Sequence, residues 1–185
     1  GLVGSEMCIR DRCISVIAPR NSMFRILQVR QINLEEMKNN NSLVKGYRHT
    51  GIITNNMSAS VNFYHNILGL EIIQEFTDSS EYINLITGIE NGNAHFIKLK
   101  GEDGFVLELL EYPSHPTKPV DISIINVGVL HIALSVYDSD KVYDHLVKNN
   151  IKVLSKPILS SEKIAKVFFC IDPDGTRVEI VEMLS

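Results

Sequence analysis

The sequence predicts an α+β fold that consists of two βαβββ modules in one chain. The first observation is an internal repeat, since RHTGIIT (48–54) and LHIALSV (130–136) are both β-rich runs with His in the second position. The second is that each run is followed by a polar turn, a helical stretch and further strand-like runs in the same order. A repeat of this size indicates two copies of one supersecondary unit.

Each module is predicted to contain one helix after its first strand. Apolar residues recur there at helical spacing. They are Val61, Tyr64, Ile67 and Leu68 in the first module and Val142, Tyr143, Leu146 and Val147 in the second. Polar residues that cap helix N-termini precede both stretches, so we expect Asn56 or Ser58 to begin the first helix and Asp138 the second.

The last strands of the two modules each carry a glutamate near their centre. These strands are FVLELLEY (105–112), with Glu108, and TRVEIVEM (176–183), with Glu179. The second follows DPDG, which has proline and glycine where a type I turn prefers them. The runs AHFIKLK and AKVFFCI supply a middle strand for each module, which completes the βαβββ order.

The repeat also sets the internal boundaries of the domain. Module one covers about residues 47–112, a linker with three prolines covers 113–126, and module two covers about 127–185. Module one is the longer, with 59 positions between its histidine and glutamate against 48 in module two. The additional residues fall near TDSSEYINLITGIENGN, which is either an inserted helical loop, with a possible role as a lid, or a longer strand connection.

The N-terminal segment differs from the rest of the chain. Residues 1–36 show no usable helix or strand period, and we interpret them as a non-native or disordered extension. The vicinity of Met37 then marks the expected natural start, with Met23 as the alternative. The folded domain is accordingly expected to cover residues 37–185.

Composition argues against several classes of protein. The 185 residues have a net charge of −4 and no long run of like charge, which argues against nucleic-acid binding and a polybasic membrane contact. No stretch approaches the roughly 20 apolar residues that span a bilayer. The three cysteines form no disulfide framework, and Cys170 in KVFFCI is predicted to be a reduced core thiol. We therefore expect a cytoplasmic location.

Two histidines and two glutamates are predicted to share one face of the sheet, because side chains alternate along a strand. They are His49, Glu108, His131 and Glu179. Unpaired buried carboxylates are costly, and a divalent cation removes that cost. Nitrogen and oxygen ligands without thiolate suit Zn, Ni, Co, Fe or Mn. The alternative is a buried polar network of the same four residues without a metal.

Several segments resemble a known family. The pieces RHTGIIT, VNFYHNILGLEII, LELLEY, VLHIALSV and DPDGTRVEIVE are similar to the vicinal oxygen chelate superfamily, which includes glyoxalase I, methylmalonyl-CoA epimerase, extradiol dioxygenases and antibiotic-resistance proteins. The resemblance covers residues 48–184. It implies a cupped, eight-stranded mixed sheet around one divalent metal ion, with the helices on the outer face. It also implies the two histidines and two glutamates as metal ligands.

The resemblance to glyoxalase I implies a metal-dependent lyase or isomerase. Such an enzyme would act on an α-oxygenated carbonyl compound through a metal-stabilised enediolate, with Glu179 as the catalytic base and Glu108 as the second choice. Two positions depart from bacterial glyoxalase I, or lactoylglutathione lyase, because Ile53 and Tyr112 replace an arginine and an asparagine that help to hold glutathione. The pattern therefore keeps the metal ligands and lacks these glutathione contacts.

Two other functions remain open. One is an acyl-CoA epimerase like methylmalonyl-CoA epimerase, in which Lys98 and Lys100 would meet phosphates, although that enzyme usually has glutamine in place of Glu108. The other is a non-catalytic antibiotic-binding protein with the same cup. Arg177 shares a face with Glu179 and could meet an anionic substrate. The expected partners are a small-molecule substrate and, by resemblance, a second copy of the chain, with the modules paired within one chain or between two.

Overall fold

A computed structural model of the protein describes residues 3–9, 12–18, 28–31, 43–115 and 121–184, the first three ranges by their backbone alone. The chain divides into two compact units, Gly1–Tyr47 and Arg48–Ser185. Each unit has its own sheets, and the predicted repeat lies in the second.

The first unit contains three strands, although the sequence there shows no strand period. They are β1 (Val3–Ile9), β2 (Arg12–Ala18) and β3 (Gln28–Gln31). The strands form an antiparallel sheet in the order β1-β2-β3. The other residues before Leu43 lie outside the described residues, so the interpretation of residues 1–36 as an extension stays a prediction.

Module one folds in the predicted order. Its strands are β4 (Thr50–Ile53), β5 (Glu71–Asp78), β6 (Ala94–Lys100) and β7 (Val106–Glu111). Helix α1 (Met57–Val61) continues into a wider π-helical segment (Asn62–Ile67), after which the Leu68 N–H donates to the Phe63 carbonyl at 2.9 Å. Helix α2 (Glu81–Thr87) is inserted between β5 and β6.

Module two repeats this order without the inserted helix. Its elements are β8 (His131–Ser135), α3 (Ser139–Lys148), β9 (Ile158–Leu159), β10 (Ala165–Ile171) and β11 (Arg177–Met183). The two modules form four-stranded sheets in the orders β4-β7-β6-β5 and β8-β11-β10-β9. In each sheet the first and last strands of the module are parallel and the other pairs are antiparallel. The predicted α+β fold with two βαβββ modules is confirmed.

The helices begin where capping residues predict. Asn56 Oδ1 accepts a hydrogen bond from the Ala59 N–H at 3.0 Å, which makes Asn56 rather than Ser58 the cap of α1. Asp138 Oδ1 accepts from the Lys141 N–H at 3.0 Å and caps α3. Each side chain satisfies a backbone donor that the first helical turn leaves without a partner.

A second glutamate in the last strand of each module holds the helix N-terminus. Glu111 Oε1 accepts from the Met57 N–H at 3.2 Å. Glu182 Oε2 accepts from the Ser139 N–H at 2.9 Å and from the Ser139 hydroxyl at 2.7 Å. These bonds lower the pKa of Glu182 below its usual range. Since these glutamates lie three positions after the predicted ligands, each last strand carries one glutamate on each face.

One hydrophobic core lies on the side of both sheets that carries α1 and α3, here named the helix side. Its most buried members are Phe63, Tyr64, Leu99, Leu107, Leu109, Leu146, Phe168, Val178 and Ile180. They come from both modules, so the helix-side faces of the two sheets share one interior. Cys170 is a free, buried thiol in this core, and burial raises its pKa to about 12. The prediction of a core thiol is confirmed.

The insertion in module one is helical, as one of the two interpretations predicted. Helix α2 is anchored by Ile83, which is 2% exposed and packs with Ala94 and Phe96. Three other apolar residues of this helix also recur at helical spacing, and they are exposed: Tyr82, Leu85 and Ile86. A helix of seven residues contacts the sheet through about one turn, here through Ile83. The spacing of apolar residues alone does not tell which side of the helix packs on the sheet.

Hydrogen bonds join the two modules at the DPDG turn before β11. The Tyr64 hydroxyl donates to Asp172 Oδ2 at 2.9 Å, and the Thr54 hydroxyl donates to Asp174 Oδ2 at 2.5 Å. The Thr176 N–H donates to the other oxygen of Asp172 at 2.6 Å. Burial nevertheless raises the pKa of Asp172 above its usual value, because the charged form is removed from water. The turn of module two is thereby tied to the helix and strand of module one.

We expect Tyr64→Phe to lower the free energy of unfolding by roughly 1–3 kcal/mol, because it leaves a buried carboxylate oxygen without its donor. Because the pKa of Asp172 is raised in the folded protein, protonation of this carboxyl stabilises the fold. This stabilisation is complete below the pKa that Asp172 has in the unfolded chain, and it is lost as the pH rises through the pKa of the folded state. The lost bond favours the charged form, so the cost should be larger at neutral pH than in mild acid. Urea unfolding at both pH values measures it.

Tyr143→Phe on α3 is the control, since the Tyr143 hydroxyl has no hydrogen-bond partner among the described side chains and backbone. An equal loss of stability in both variants, or a loss that does not change with pH, would contradict the role of the Tyr64–Asp172 bond.

Candidate metal centre

The face of each sheet opposite α1 and α3 is here named the cup face; in module one, Ile83 of α2 packs on it against Ala94 and Phe96. Its register is the same in both modules, since Gly51 of β4 pairs with Glu108 of β7 and Ala133 of β8 pairs with Glu179 of β11. A histidine lies two positions before each of these small residues. The predicted equivalence of the two histidine–glutamate pairs is therefore present in the strand ladders.

The pair in module one is partly enclosed. His49 Nε2 lies 3.4 Å from Glu108 Oε1, and Lys98 Nζ lies 3.2 Å from Glu108 Oε2. The Glu108 side chain is 10% exposed. A Cβ atom at Gly51 would lie 3.3 Å from Leu110 Cδ1, so glycine keeps the surface beside the carboxylate open.

The pair in module two is more accessible. His131 Nε2 lies 3.2 Å from Glu179 Oε2, with the two side chains 46% and 23% exposed. The Phe169 ring packs edge-on against the His131 ring, with 5.6 Å between ring centroids. Phe169 occupies the ladder position opposite Glu179 that Lys98 occupies opposite Glu108.

The structure thus brings the four predicted ligands together as two pairs. Within the residues that the structure describes, no group of three His, Cys, Asp or Glu side chains is placed to hold one ion. The reason is the orientation of the modules: their helix sides share the core, and the cup faces carry exposed residues such as Ile53, Ala133 and Ser135. Each module therefore presents one His–Glu pair at its surface, and each of these pairs is here named a half-site.

Other predicted site residues lie near these half-sites. Arg177 is half-buried beside His131 in the parallel ladder, and its guanidinium has no ion-pair partner among the described residues. Ile53 is exposed on the cup face. Tyr112 packs against the small apolar cluster that includes the stacked rings of Phe76 and Phe96, 4.6 Å apart. Lys100 pairs with Glu71 at 3.0 Å, at the end of β6.

A further histidine cluster lies on the opposite side of the module-one sheet. His95 Nε2 lies 2.9 Å from Glu75 Oε1, and His95 Nδ1 lies 3.9 Å from Glu111 Oε2. His95 pairs with Glu111 in the ladder and so shares its face, the face that holds α1. The cluster is separate from the cup face.

Lys98 as the partner of Glu108 was missed by sequence reasoning. A signal was present: the residue five positions before Asp103 pairs with the residue five positions after it, and the same count around Asp174 pairs Phe169 with Glu179. The turns GEDG and DPDG centre the two hairpins at these aspartates. The register follows from the turn once its centre is known.

The donor chemistry of the two half-sites suits a divalent cation. Two imidazoles and two carboxylates offer nitrogen and oxygen ligands, and the two carboxylate charges balance a 2+ ion. One His–Glu pair per module falls short of the three or four protein ligands of most such sites.

Comparison with known proteins gives a consistent result. A sequence model described as the Glyoxalase/Bleomycin resistance protein/Dioxygenase superfamily matches residues 46–180. The "Uncharacterized protein YaeR" of Escherichia coli (strain K12) is 30% identical over 139 residues, which span 75% of this chain and 97% of YaeR. The metallothiol transferase FosB of Staphylococcus haemolyticus is 26% identical over 140 residues, 75% of this chain and 84% of FosB.

A solved structure supports the fold. The glyoxalase family protein from Bacillus cereus superposes with a TM-score of 0.71 at 16% identity, covering 78% of this chain and 98% of that one. At this identity the likeness concerns the fold alone. Sequence and fold comparisons therefore agree on the region that contains both modules.

Proposed function

The chain belongs to the Glyoxalase/Bleomycin resistance protein/Dioxygenase superfamily, and from this membership we propose that it is a metal-dependent lyase or isomerase of the glyoxalase I type. Its substrate would be an α-oxygenated carbonyl compound. The observation that carries the proposal is the matched register of the two His–Glu pairs, Glu108 beside Gly51 and Glu179 beside Ala133.

The proposed ligands of one divalent metal ion (Zn, Ni, Co, Fe or Mn) are His49, Glu108, His131 and Glu179. When bound, such an ion supplies Lewis-acid stabilisation of the negative charge that develops on an enediolate. The distances within each pair, 3.4 Å and 3.2 Å, place both donors of a module on one side of the sheet.

We further propose that two copies of the chain complete the site as a homodimer. The reason is geometric. Because the helix sides of the two modules share one core, the two cup faces of a chain point away from each other. A second copy can place its module-two cup face against the module-one cup face of the first. Two-fold symmetry then produces two equivalent sites per dimer.

The chain's own residues would divide the work of proton transfer. Glu179 is proposed as the base that removes the proton from the carbon next to the carbonyl and returns it to the neighbouring carbon. Its greater exposure and its neighbour Phe169 suit a carboxylate that contacts a substrate. Glu108 is the second choice, since both of its oxygens already have partners within 3.4 Å. Arg177 is available to an anionic group of the substrate.

Particular observations bear on two of the three alternatives. An acyl-CoA epimerase would use the same proton chemistry, but Lys98 pairs with Glu108 on the cup face and Lys100 pairs with Glu71, so both lysines already have carboxylate partners. The similarity to the metallothiol transferase FosB favours transfer of a thiol to a small molecule as the second candidate. A non-catalytic antibiotic-binding protein is the third.

The location of the protein is also part of the proposal. Among the described residues, none of the helices has the length and hydrophobicity that a membrane-spanning helix requires. A free, buried thiol at Cys170 suits the proposed cytoplasmic setting.

The test combines metal analysis with proton exchange. We expect about one divalent ion per chain by plasma mass spectrometry. We also expect metal-dependent exchange of an α-proton with deuterated water, measured by NMR on a panel of thiol adducts of 2-oxo aldehydes, 2-hydroxy ketones and acyl-CoA thioesters. Exchange only with acyl-CoA would indicate the epimerase, and thiol transfer without exchange would indicate the transferase. A protein that binds no divalent ion would contradict every metal-dependent function named above.

A further inference from the structure

The two proposed ligand carboxylates have different partners, although their positions in the repeat are equivalent. In the ladder of module one, Glu108 lies opposite Lys98, and in that of module two, Glu179 lies opposite Phe169. The same position therefore holds a cation in one module and an aromatic ring in the other.

Glu108 is held at both oxygens. Its Oε1 lies 3.4 Å from His49 Nε2 and its Oε2 lies 3.2 Å from Lys98 Nζ. Lys98 is itself fixed, because its side chain is 19% exposed and its ammonium lies 5.5 Å from the centroid of the Phe76 ring. A cation and the face of an aromatic ring attract each other, so both the ion pair with Glu108 and the contact with Phe76 hold the Lys98 ammonium in this position.

Glu179 is held at one oxygen. Its Oε2 lies 3.2 Å from His131 Nε2, and its Oε1 has no hydrogen-bond or ion-pair partner among the described residues. Phe169 offers no donor, and its ring packs against that of His131 instead. The second oxygen of Glu179 is therefore without a polar contact among the described residues.

We propose that Lys98 is a positioning residue that makes the two carboxylates unequal, an inference that rests on the metal-dependent function proposed above. Lys98 retains one oxygen of Glu108, so that Glu108 presents a single oxygen to a cation. Glu179 lacks such a partner and keeps the oxygen that meets the substrate. Outer partners of this kind orient metal ligands and tune the site.

The test uses the full chain, freed of metal and titrated with Co²⁺ by calorimetry and visible absorption. We expect Lys98→Met to raise the Co²⁺ affinity roughly tenfold, because a positive charge close to the ion is removed. The visible absorption of Co²⁺ bound to this variant should also weaken. Without Lys98, Glu108 Oε2 is free to join Oε1 as a ligand, and the coordination number of the ion rises. Lys98→Arg should restore both values to near those of the unaltered protein.

Lys100→Met is the matched control, because Lys100 lies on the same face of β6 but pairs with Glu71. It should change neither the affinity nor the spectrum. Lys98→Gln replaces Lys98→Met if circular dichroism shows that the methionine variant is unfolded.

Three outcomes would overturn the inference. Lys98→Met could leave affinity and spectrum unchanged, or Lys100→Met could change both as much, while the unaltered protein binds Co²⁺; the proposed function would then stand without Lys98. If the unaltered protein binds no Co²⁺, the inference and the proposed function fall together.

Discussion

Glu179→Gln is expected to lower the rate of α-proton exchange by roughly a hundredfold to ten-thousandfold, the usual contribution of a positioned general base. Glutamine keeps the size of the side chain and one oxygen, so part of the metal binding should persist. The separation of these two effects is the important result, because loss of the ion alone would also stop exchange. NMR exchange rates and metal content, measured on the same preparation, separate them.

Glu182→Gln is the matched control for this variant. Glu182 lies on the same strand, three positions further on, and its carboxylate accepts from Ser139 on the helix side. An amide oxygen can still accept from Ser139, so exchange should continue at a similar rate. Unchanged exchange in Glu179→Gln would remove Glu179 from the role of base, and equal losses in both variants would indicate a general effect on the fold.

Mixing two inactive variants is expected to restore metal binding if the site lies between two chains. One variant carries His49→Ala with Glu108→Gln, and the other carries His131→Ala with Glu179→Gln. A mixed dimer would have one intact site and one doubly altered site. With random pairing, half of the dimers are mixed and each has one of two sites, so about a quarter of the full binding should return. Mixing after partial denaturation and refolding, followed by metal titration, measures it.

The same mixture also distinguishes the alternative arrangement. If the four ligands came from one chain, every site in the mixture would lack one half and no binding would return. Each variant refolded alone is the control, and size-exclusion chromatography with light scattering reports whether dimers form in each sample. Dimers without recovered metal binding would contradict the proposal of a metal site shared between two chains, and they would remain consistent with the proposed homodimer.

Much of the fold could be predicted because the chemistry repeats along the chain. The alternation of apolar and polar residues around Glu108 and Glu179 assigned both faces of the last strands, and DPDG located the turn between β10 and β11. The way in which the modules meet could not be predicted. Alternation tells which face of a strand is apolar, and it does not tell which other apolar face covers it.

The contacts between modules were beyond sequence reasoning for the same reason. Tyr64 and Asp172 are 108 positions apart, and a tyrosine in an apolar helical stripe gives no sign that its hydroxyl meets a buried carboxylate. At the candidate site, residue type and strand position predicted each His–Glu pair. Lys98 was missed because its role depends on the pairing register between β6 and β7, which becomes visible only when the hairpin turn is located.

The position of the core on the helix side makes folding and assembly separable. Because the described core of residues 48–184 is filled by the chain's own two modules, separating the two copies of the proposed dimer by dilution would uncover the cup faces without opening that core. A protein of this kind would stay folded at low concentration while losing its capacity to retain an ion. Cellular abundance could then act as a control on activity, with no ligand or modification required.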